Sequence, residues 1–199
     1  MDRSLIFKKE INYIKNERYK ENAMKLIDLL PDYFFSVPAS STGKYHPKYA
    51  LGDGGLLRHS KVAMRMGYEL LLDESIGNKY TSREKDLMLI SLLIHDGLKS
   101  GIEKEKYTRF DHPILMANFI LDNKDKFDLN EEDAKFISDV IKTHMGNYTT
   151  DYNGNEVLEK PSNKYQNFVH MCDYLASRKF IHIDFDKDNN ILEEVWRVR

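Results

Sequence analysis

The amino-acid sequence predicts a mostly α-helical bundle with one or two small β-hairpins, folded as a single domain over residues 1–199. Apolar residues recur mainly at helical spacing, and capping residues precede several of these runs. The chain has 199 residues, 41% of them hydrophobic and 31% charged, which is typical of one globular domain with a substantial core.

The net charge, the cysteine count and the lack of long apolar stretches limit which partners and which cellular compartment we expect for this protein. The net charge of −2 shows no basic excess, so we expect no long nucleic-acid partner. Cys172 is the only cysteine, so no intrachain disulfide can form, which suits a reducing compartment. The first 20 residues contain no apolar signal core, and no stretch approaches the roughly 20 apolar residues of a membrane span. We expect a cytoplasmic protein without a membrane partner; the oligomeric state stays open.

The first predicted elements are two helices separated by a long loop. Residues 20–30 form a short amphipathic helix that Pro31 stops. The loop over residues 31–54 is rich in Pro, Gly and Ser but also in aromatic residues, which favours an ordered loop. A long helix follows from about Gly55 to Leu72. Its predicted inner face is Leu56, His59, Ala63, Met66 and Leu70.

Capping signals predict the next two helices. Thr81 and Glu84 form a capping box for a helix over about 82–95. Asp111 can cap a helix that begins at His112, with a proline in its first turn, where proline is tolerated.

The last third of the chain adds two helices and the predicted hairpins. Asn130 opens a helix that we expect to carry His144, and a final helix covers about 162–179. "YTTDYNGNEVLE" centres on Asn-Gly, a strong hairpin signal. "KFIHIDFDKDNNILEEVWRV" alternates apolar and polar residues and predicts a second hairpin over about 180–199.

Polar residues fall on or at the ends of five of these helices. They are His59, His95, Asp96, His112, His144 and Asp173. If the inner faces meet at one centre, four imidazoles and two carboxylates gather there. Unpaired, such groups would be costly to bury, whereas divalent cations satisfy them. Mixed imidazole and carboxylate ligands suit Mn, Fe, Zn, Co or Ni better than a pure Mg or Ca site. The alternative is that each histidine is a hydrogen-bonded core residue.

Five segments resemble the successive motifs of the HD-domain metal-dependent phosphohydrolases. They are "GGLLRHSKVAMRM", "LLIHDGLKSG", "DHPILMANFI", "IKTHMGNY" and "HMCDYLASRKF". The resemblance covers about residues 50–180, a motif-bearing core, with a helix and loop before it (1–49) and the hairpin after it (180–199). The order H…HD…H…H…D is similar to the two-metal form of that family. It implies a helical bundle of the HD-domain type.

The resemblance also implies roles for individual residues. One ion would be held by His59, His95, Asp96 and Asp173. Asp96 would bridge to a second ion held by His112 and His144. Lys99 matches the lysine that approaches the substrate phosphate in that family, so Asp96 and Lys99 are the expected catalytic residues. The cofactors would be two divalent transition-metal ions, with Mn, Fe, Co or Ni favoured and Mg or Zn as further candidates.

Two departures from the family separate this chain from its nearest subgroups. "RFDHP" surrounds the third histidine, where cyclic-dinucleotide phosphodiesterases carry "GYP". No RNA-binding segment accompanies the motifs, as it does in the HD-domain exoribonucleases. The resemblance therefore implies a phosphohydrolase or phosphodiesterase whose substrate is a nucleotide or a short oligonucleotide. The alternatives are a 3'-5' exoribonuclease-like nuclease and a non-catalytic, nucleotide-binding regulatory HD protein.

Four residues are candidate substrate contacts: Lys44, His46, Lys61 and Arg109. For the three cations among them, the sequence favours the alternative of a solvated surface charge. "SSTGKYHP", which contains the first two candidates, is either a phosphate- or ribose-binding lip or a loop that only covers the bundle. Four aromatic residues can either stack a base or pack in the core: Phe34, Phe35, Tyr148 and Tyr165.

Overall fold

The structure is a computed structural model that describes residues 3–44 and 46–192, apart from the side chain of Ser4. It is mostly helical, as the sequence predicts. The α-helices are α1 (Arg3–Ile6), α2 (Lys8–Ile11), α3 (Glu17–Leu29), α4 (Gly55–Leu72), α5 (Glu74–Gly77), α6 (Ser82–Ile94), α7 (His112–Asn123), α8 (Glu131–Ile141) and α9 (Lys164–Ala176). Short 3₁₀ turns cover Asp32–Phe35, Lys48–Ala50 and Lys124–Phe127. Within the described residues, no helix has the length and apolar character needed to cross a membrane.

Local capping explains where several helices begin. Thr81 and Glu84 make the predicted capping box at the start of α6, with each side chain bound to the other's main-chain NH. Asn130 caps α8 by accepting from the NH of Asp133 at 2.8 Å. Helix α3 starts earlier than predicted because the side chain of Asn16 caps it.

Two boundaries differ from the expectation. Asp111 precedes α7, but its side chain caps no NH; both carboxylate oxygens instead bind the guanidinium of Arg109, at 2.8 and 2.7 Å. His144 follows α8 in a turn rather than lying on the helix, because α8 ends at Ile141.

The predicted hairpins are reduced to two isolated antiparallel bridges, Thr150 with Glu156 and Phe185 with Ile191. In each turn an aspartate binds the main chain: Asp151 accepts from two NH groups, and Asp186 does the same. These side-chain contacts stabilise the turns between the bridged residues. Residues 193–199 of the second predicted hairpin lie outside the described residues.

Helix α4 is central to the packing. It lies against both α6 and α9, while α8 packs against α6, α7 and α9. The described parts of the loop, residues 31–44 and 46–54, pack on this bundle, with Phe34 and Tyr49 buried. At the start of α4, a Cβ on Gly55 would lie 2.3 Å from the carbonyl oxygen of Ala50, so only glycine allows the loop to approach so closely. This arrangement brings one end of α6, α7 and α8 to the first turns of α4 and the last turn of α9.

Candidate metal centre

The six predicted ligands meet where these helices converge. His59 lies within α4 and Asp173 within α9, whereas the other four lie at helix ends. His95 ends α6 and Asp96 follows it, His112 begins α7, and His144 follows α8. The four histidines and Asp96 are at most 1% exposed, and Asp173 is partly exposed. A change in the length of any of these helices would move its ligand away from the centre.

Main-chain carbonyls fix the orientation of three of the imidazole rings. The Nδ1 contacts are His95 to Leu92 O at 2.8 Å, His112 to Arg109 O at 2.6 Å and His144 to Ile141 O at 2.8 Å. Since a carbonyl oxygen only accepts, each of these Nδ1 atoms carries the proton. In the neutral ring the Nε2 atom then presents a bare lone pair, as a metal ligand must.

The Nε2 atoms of the four histidines face one another in two pairs. Those of His112 and His144 are 3.2 Å apart, and those of His59 and His95 are 3.3 Å apart. Because Nδ1 carries the proton in both His112 and His144, these two neutral rings cannot form a hydrogen bond between their Nε2 atoms. A cation placed between the donors removes this repulsion, so the residues fit a metal ion.

Asp96 faces both pairs of histidines. Its Oδ1 lies 3.0 Å from Nε2 of His112 and 3.5 Å from Nε2 of His144. Its Oδ2 lies 3.5 Å from Nε2 of His95 and 3.6 Å from Nε2 of His59. Among the described residues, Oδ1 has no hydrogen-bond donor although it is buried. A buried carboxylate oxygen without a donor fits a site that takes a cation.

Asp173 completes the half of the site around α4. Its Oδ1 is 2.9 Å from Nε2 of His59 and 3.3 Å from Nε2 of His95. The ligand atoms of two groups lie within 4.8 Å of one another, which is close enough for each group to hold a metal ion. The groups are His59, His95 and Asp173, and His95, Asp96 and His144.

Charges in the cluster keep its carboxylates ionised. Burial alone would raise the pKa of Asp96, but Lys99 and His95 beside it hold that pKa well below its usual range. Burial likewise opposes ionisation of Asp173, and His95 and His59 outweigh it and lower the pKa of this carboxyl. Burial lowers the pKa of His112, so this ring favours the neutral form that binds metal.

A cavity of about 920 Å³ opens onto the cluster. Four of the predicted ligands line its floor: Asp96, His112, His144 and Asp173. Lys99 also lines it, with its ammonium 2.5 Å from Oδ2 of Asp96. From the loop on the other side, Lys44 and His46 reach the cavity together with Ser40 and Ser41. The structure therefore brings two of the four predicted substrate-binding residues to the site.

Lys61, predicted to bind substrate, lies away from the cavity. Its side chain is fully buried, 3.4 Å from Oε2 of Glu10, and it donates to the carbonyl of Ile6 at 2.5 Å. It lies two residues after His59 on α4, which turns it toward the N-terminal segment and away from the cavity. The structure therefore does not bring Lys61 to the cavity over the cluster.

The side chain of Arg109, predicted to bind substrate, also lies outside the cavity over the cluster. Its guanidinium binds Asp111 and Glu105 and borders a separate cavity of about 380 Å³. Its main-chain carbonyl, however, accepts from Nδ1 of His112 and so orients that ring. Arg109 contributes to the centre through its backbone, which residue type alone could not reveal.

His170, Tyr174 and Phe180 also lie near the centre, although they were not among the candidates chosen from the sequence. Nδ1 of His170 donates to the carbonyl of His144 at 2.7 Å, so it supports the turn that carries this ligand. Tyr148, Tyr174 and Phe180 line the cavity. The spacing of His170 three residues before Asp173 was the only sequence signal for its position.

The remaining aromatic candidates pack in the core, and so does the one cysteine of the chain. Phe34 and Cys172 are fully buried, and Phe35 packs against the core. Tyr165 is also partly buried against the core, so of the four aromatic candidates only Tyr148 reaches the cavity.

Comparison with known proteins gives no assignment: no family model, curated protein or solved structure matches this chain. The resemblance to HD-domain phosphohydrolases therefore rests on the five motifs quoted above.

Proposed function

We propose that this chain is a metal-dependent phosphohydrolase or phosphodiesterase of the HD-domain class, acting on a nucleotide or a short oligonucleotide. The position of Asp96 carries the proposal. One of its oxygens lies beside His59 and His95 and the other beside His112 and His144. A carboxylate placed in this way suits a bridge between two ions better than it suits a single structural ion.

The residues that would hold the two ions follow from these contacts. His59, His95 and Asp173 are the donors around one oxygen of Asp96, and His112 and His144 are the donors around the other. Imidazole and carboxylate donors favour Mn, Fe, Co or Ni, with Mg and Zn as further candidates. When bound, two such ions lower the pKa of a water molecule and stabilise the charge that develops at phosphorus.

Residues of the chain supply the rest of the proposed chemistry. Lys99 lies at the floor of the cavity, where its ammonium can neutralise a nonbridging phosphate oxygen. Burial of the histidines keeps bulk water away from their Nε2 atoms, which strengthens their interaction with cations. The backbone contacts of three rings hold the donors in place before substrate arrives.

The cavity supports a small phosphorylated substrate. Its volume of about 920 Å³ is at the upper end of the range for small-molecule sites. The net charge of −2 disfavours a long polyanion. The single, buried thiol of Cys172 fits a reducing compartment such as the cytoplasm.

Hydrolysis assays on a panel of nucleotides and short oligonucleotides, with Mn²⁺ or after chelation, test the proposal. Asp96→Asn should lower kcat/KM at least about 100-fold. Asp86→Asn is the matched control, because Asp86 is also buried but binds only the NH groups of Lys15 and Asn16. Equal activity after chelation, or full activity in Asp96→Asn, would rule the proposal out.

A further inference from the structure

Three exposed aromatic residues line the cavity above the metal centre. Tyr148 is 70% exposed, Tyr174 45% and Phe180 74%, and all three line the same cavity. We call them the aromatic rim. Large aromatic side chains are costly to leave in water, so a group of them beside a polar site marks a surface that binds something flat and apolar.

The rim is tied to the metal ligands along the chain. Tyr148 comes four residues after His144, and Tyr174 directly follows Asp173. Phe180 lies just beyond the end of α9. A ligand whose phosphate reaches the floor therefore has its remaining part beside these rings.

Cations accompany the aromatic rim. The guanidinium carbon of Arg178 lies 4.0 Å from the centre of the Tyr174 ring, and Lys179 lines the cavity next to it. Lys44 approaches from the opposite loop. A ligand that is both aromatic and anionic matches this combination, whereas an apolar peptide segment would leave the cations unused.

We propose that the aromatic rim binds the nucleobase of the substrate by stacking, and that it does so with little preference for one base. This inference rests on the proposed function, because the phosphate at the metal centre places the base. Stacking on an aromatic ring is tolerant of base identity, since every base has a π-face.

The polar groups around the cavity support the lack of preference. Hydroxyl groups of Ser40, Ser41, Thr108 and Ser177 line it, and a hydroxyl both donates and accepts. Among the described residues that line this cavity there is no Asn or Gln, whose amides pair with adenine, and Arg178, a residue type that can pair with guanine, lies over the Tyr174 ring. We expect affinities for the four common bases to agree within roughly tenfold, far from the roughly 10⁴-fold discrimination of a dedicated hydrogen-bonding site.

The test measures dissociation constants by equilibrium dialysis with non-hydrolysable nucleoside 5′-phosphonates of the four bases, and with the matching ribose phosphonate. Tyr148→Ala and Tyr174→Ala should each weaken nucleoside binding by about 5- to 100-fold and leave the weak binding of the ribose compound unchanged. Tyr148→Phe keeps the ring and should bind like the wild type. Tyr152→Ala is the matched control, because Tyr152 is 93% exposed but lies outside the cavity lining.

Binding of a phosphorothioate trinucleotide to the same variants shows whether the base belongs to a mononucleotide or to an oligonucleotide. A larger loss for the trinucleotide than for the mononucleotide assigns the rim to an oligonucleotide, and an equal loss assigns it to a mononucleotide; both support the inference. Rim variants that bind like Tyr152→Ala overturn it, as does a base preference of 1,000-fold or more.

Failure of the inference and failure of the proposed function give different results. If the rim variants hydrolyse the substrate in a metal-dependent way as well as the wild type does, the role of the rim in base binding is overturned and the proposed phosphohydrolase stands. If binding depends on the rim but no hydrolysis occurs, the rim's role is supported and the chain is a nucleotide-binding protein, not an enzyme. If the protein shows no binding and no hydrolysis, both proposals are overturned.

Discussion

His170 donates a hydrogen bond from Nδ1 to the main-chain carbonyl of His144 at 2.7 Å, and so joins helix α9 to the turn that carries a predicted metal ligand. Gly146 lies under the same ring. Its φ is +66°, and a Cβ at this position would lie only 2.1 Å from Cε1 of His170. The turn after α8 thus requires glycine both for its backbone conformation and for the space that His170 occupies.

The first prediction concerns this contact. Gly146→Ala should destabilise the protein and weaken metal binding, because the new methyl group pushes His170 away from the carbonyl of His144. Gly154→Ala is the matched control: its φ is +86°, but nothing lies within 4 Å of the added Cβ. In thermal or denaturant unfolding, Gly154→Ala should cost about 1 kcal/mol. Gly146→Ala should cost about 1–3 kcal/mol more, the usual penalty of overpacking.

Equal losses for the two glycine variants, with metal binding unchanged in Gly146→Ala, would mean that His170 does not hold the turn. The difference between the variants is more informative than either value, since both carry the backbone penalty.

A second prediction follows from the buried pair of Glu10 and Lys61. Burial raises the pKa of Glu10 and lowers that of Lys61, although each charge partly offsets the effect on the other. In Lys61→Met, Glu10 loses its partner and must be either charged and buried or protonated. The loss in unfolding free energy should therefore be small below pH 4.5, the ordinary pKa of the carboxyl, and grow as the pH rises.

Near neutral pH the loss should reach about 3–5 kcal/mol, as expected when a buried charge is left alone. The double variant Glu10→Gln, Lys61→Met serves as the control and should recover much of this loss and remove its pH dependence. A pH-independent loss in Lys61→Met would show that packing of the lysine stem, not the charge, is what matters.

The third prediction is that Lys99 acts on the substrate and does not hold metal. Lys99→Ala should lower kcat/KM roughly 10²- to 10³-fold on any phosphoester that the wild type hydrolyses, while metal content stays the same. Lys160→Ala removes an exposed lysine elsewhere and should have no effect. Loss of metal in Lys99→Ala would instead assign Lys99 a role in organising Asp96, which its ammonium contacts.

Sequence patterns predicted what depends on local spacing. The bounds of α4 and the capping box of α6 follow from residues close together in the chain, and the structure agrees with both. Helical spacing also places His59 and Asp173 on inner faces, where the structure buries the first and half-buries the second. Local periodicity was sufficient for these features because each of them depends on the turn of a single helix.

The structure departs from the sequence-based predictions where the outcome depends on which part of the chain packs against a given helix face. Lys61 lies on α4 as expected, but only the tertiary fold reveals that the N-terminal segment covers it. Arg109 was judged by its side chain, whereas its carbonyl orients His112. The aromatic rim joins Tyr148 to Tyr174 across 26 positions, a separation that no local pattern reports. The predicted hairpins are reduced to single bridges, and aspartate side chains close the turns between the bridged residues.

Metal content is the most direct test of the proposed two-ion centre. Inductively coupled plasma mass spectrometry should find about two transition-metal ions per chain in the wild-type protein. Asp96→Ala should lose them, because Asp96 faces all four histidines. Asp86→Asn should keep them. A wild-type protein that holds no metal even after reconstitution with Mn, Fe, Co, Ni or Zn would contradict the account, and would return all six residues to a hydrogen-bonded core.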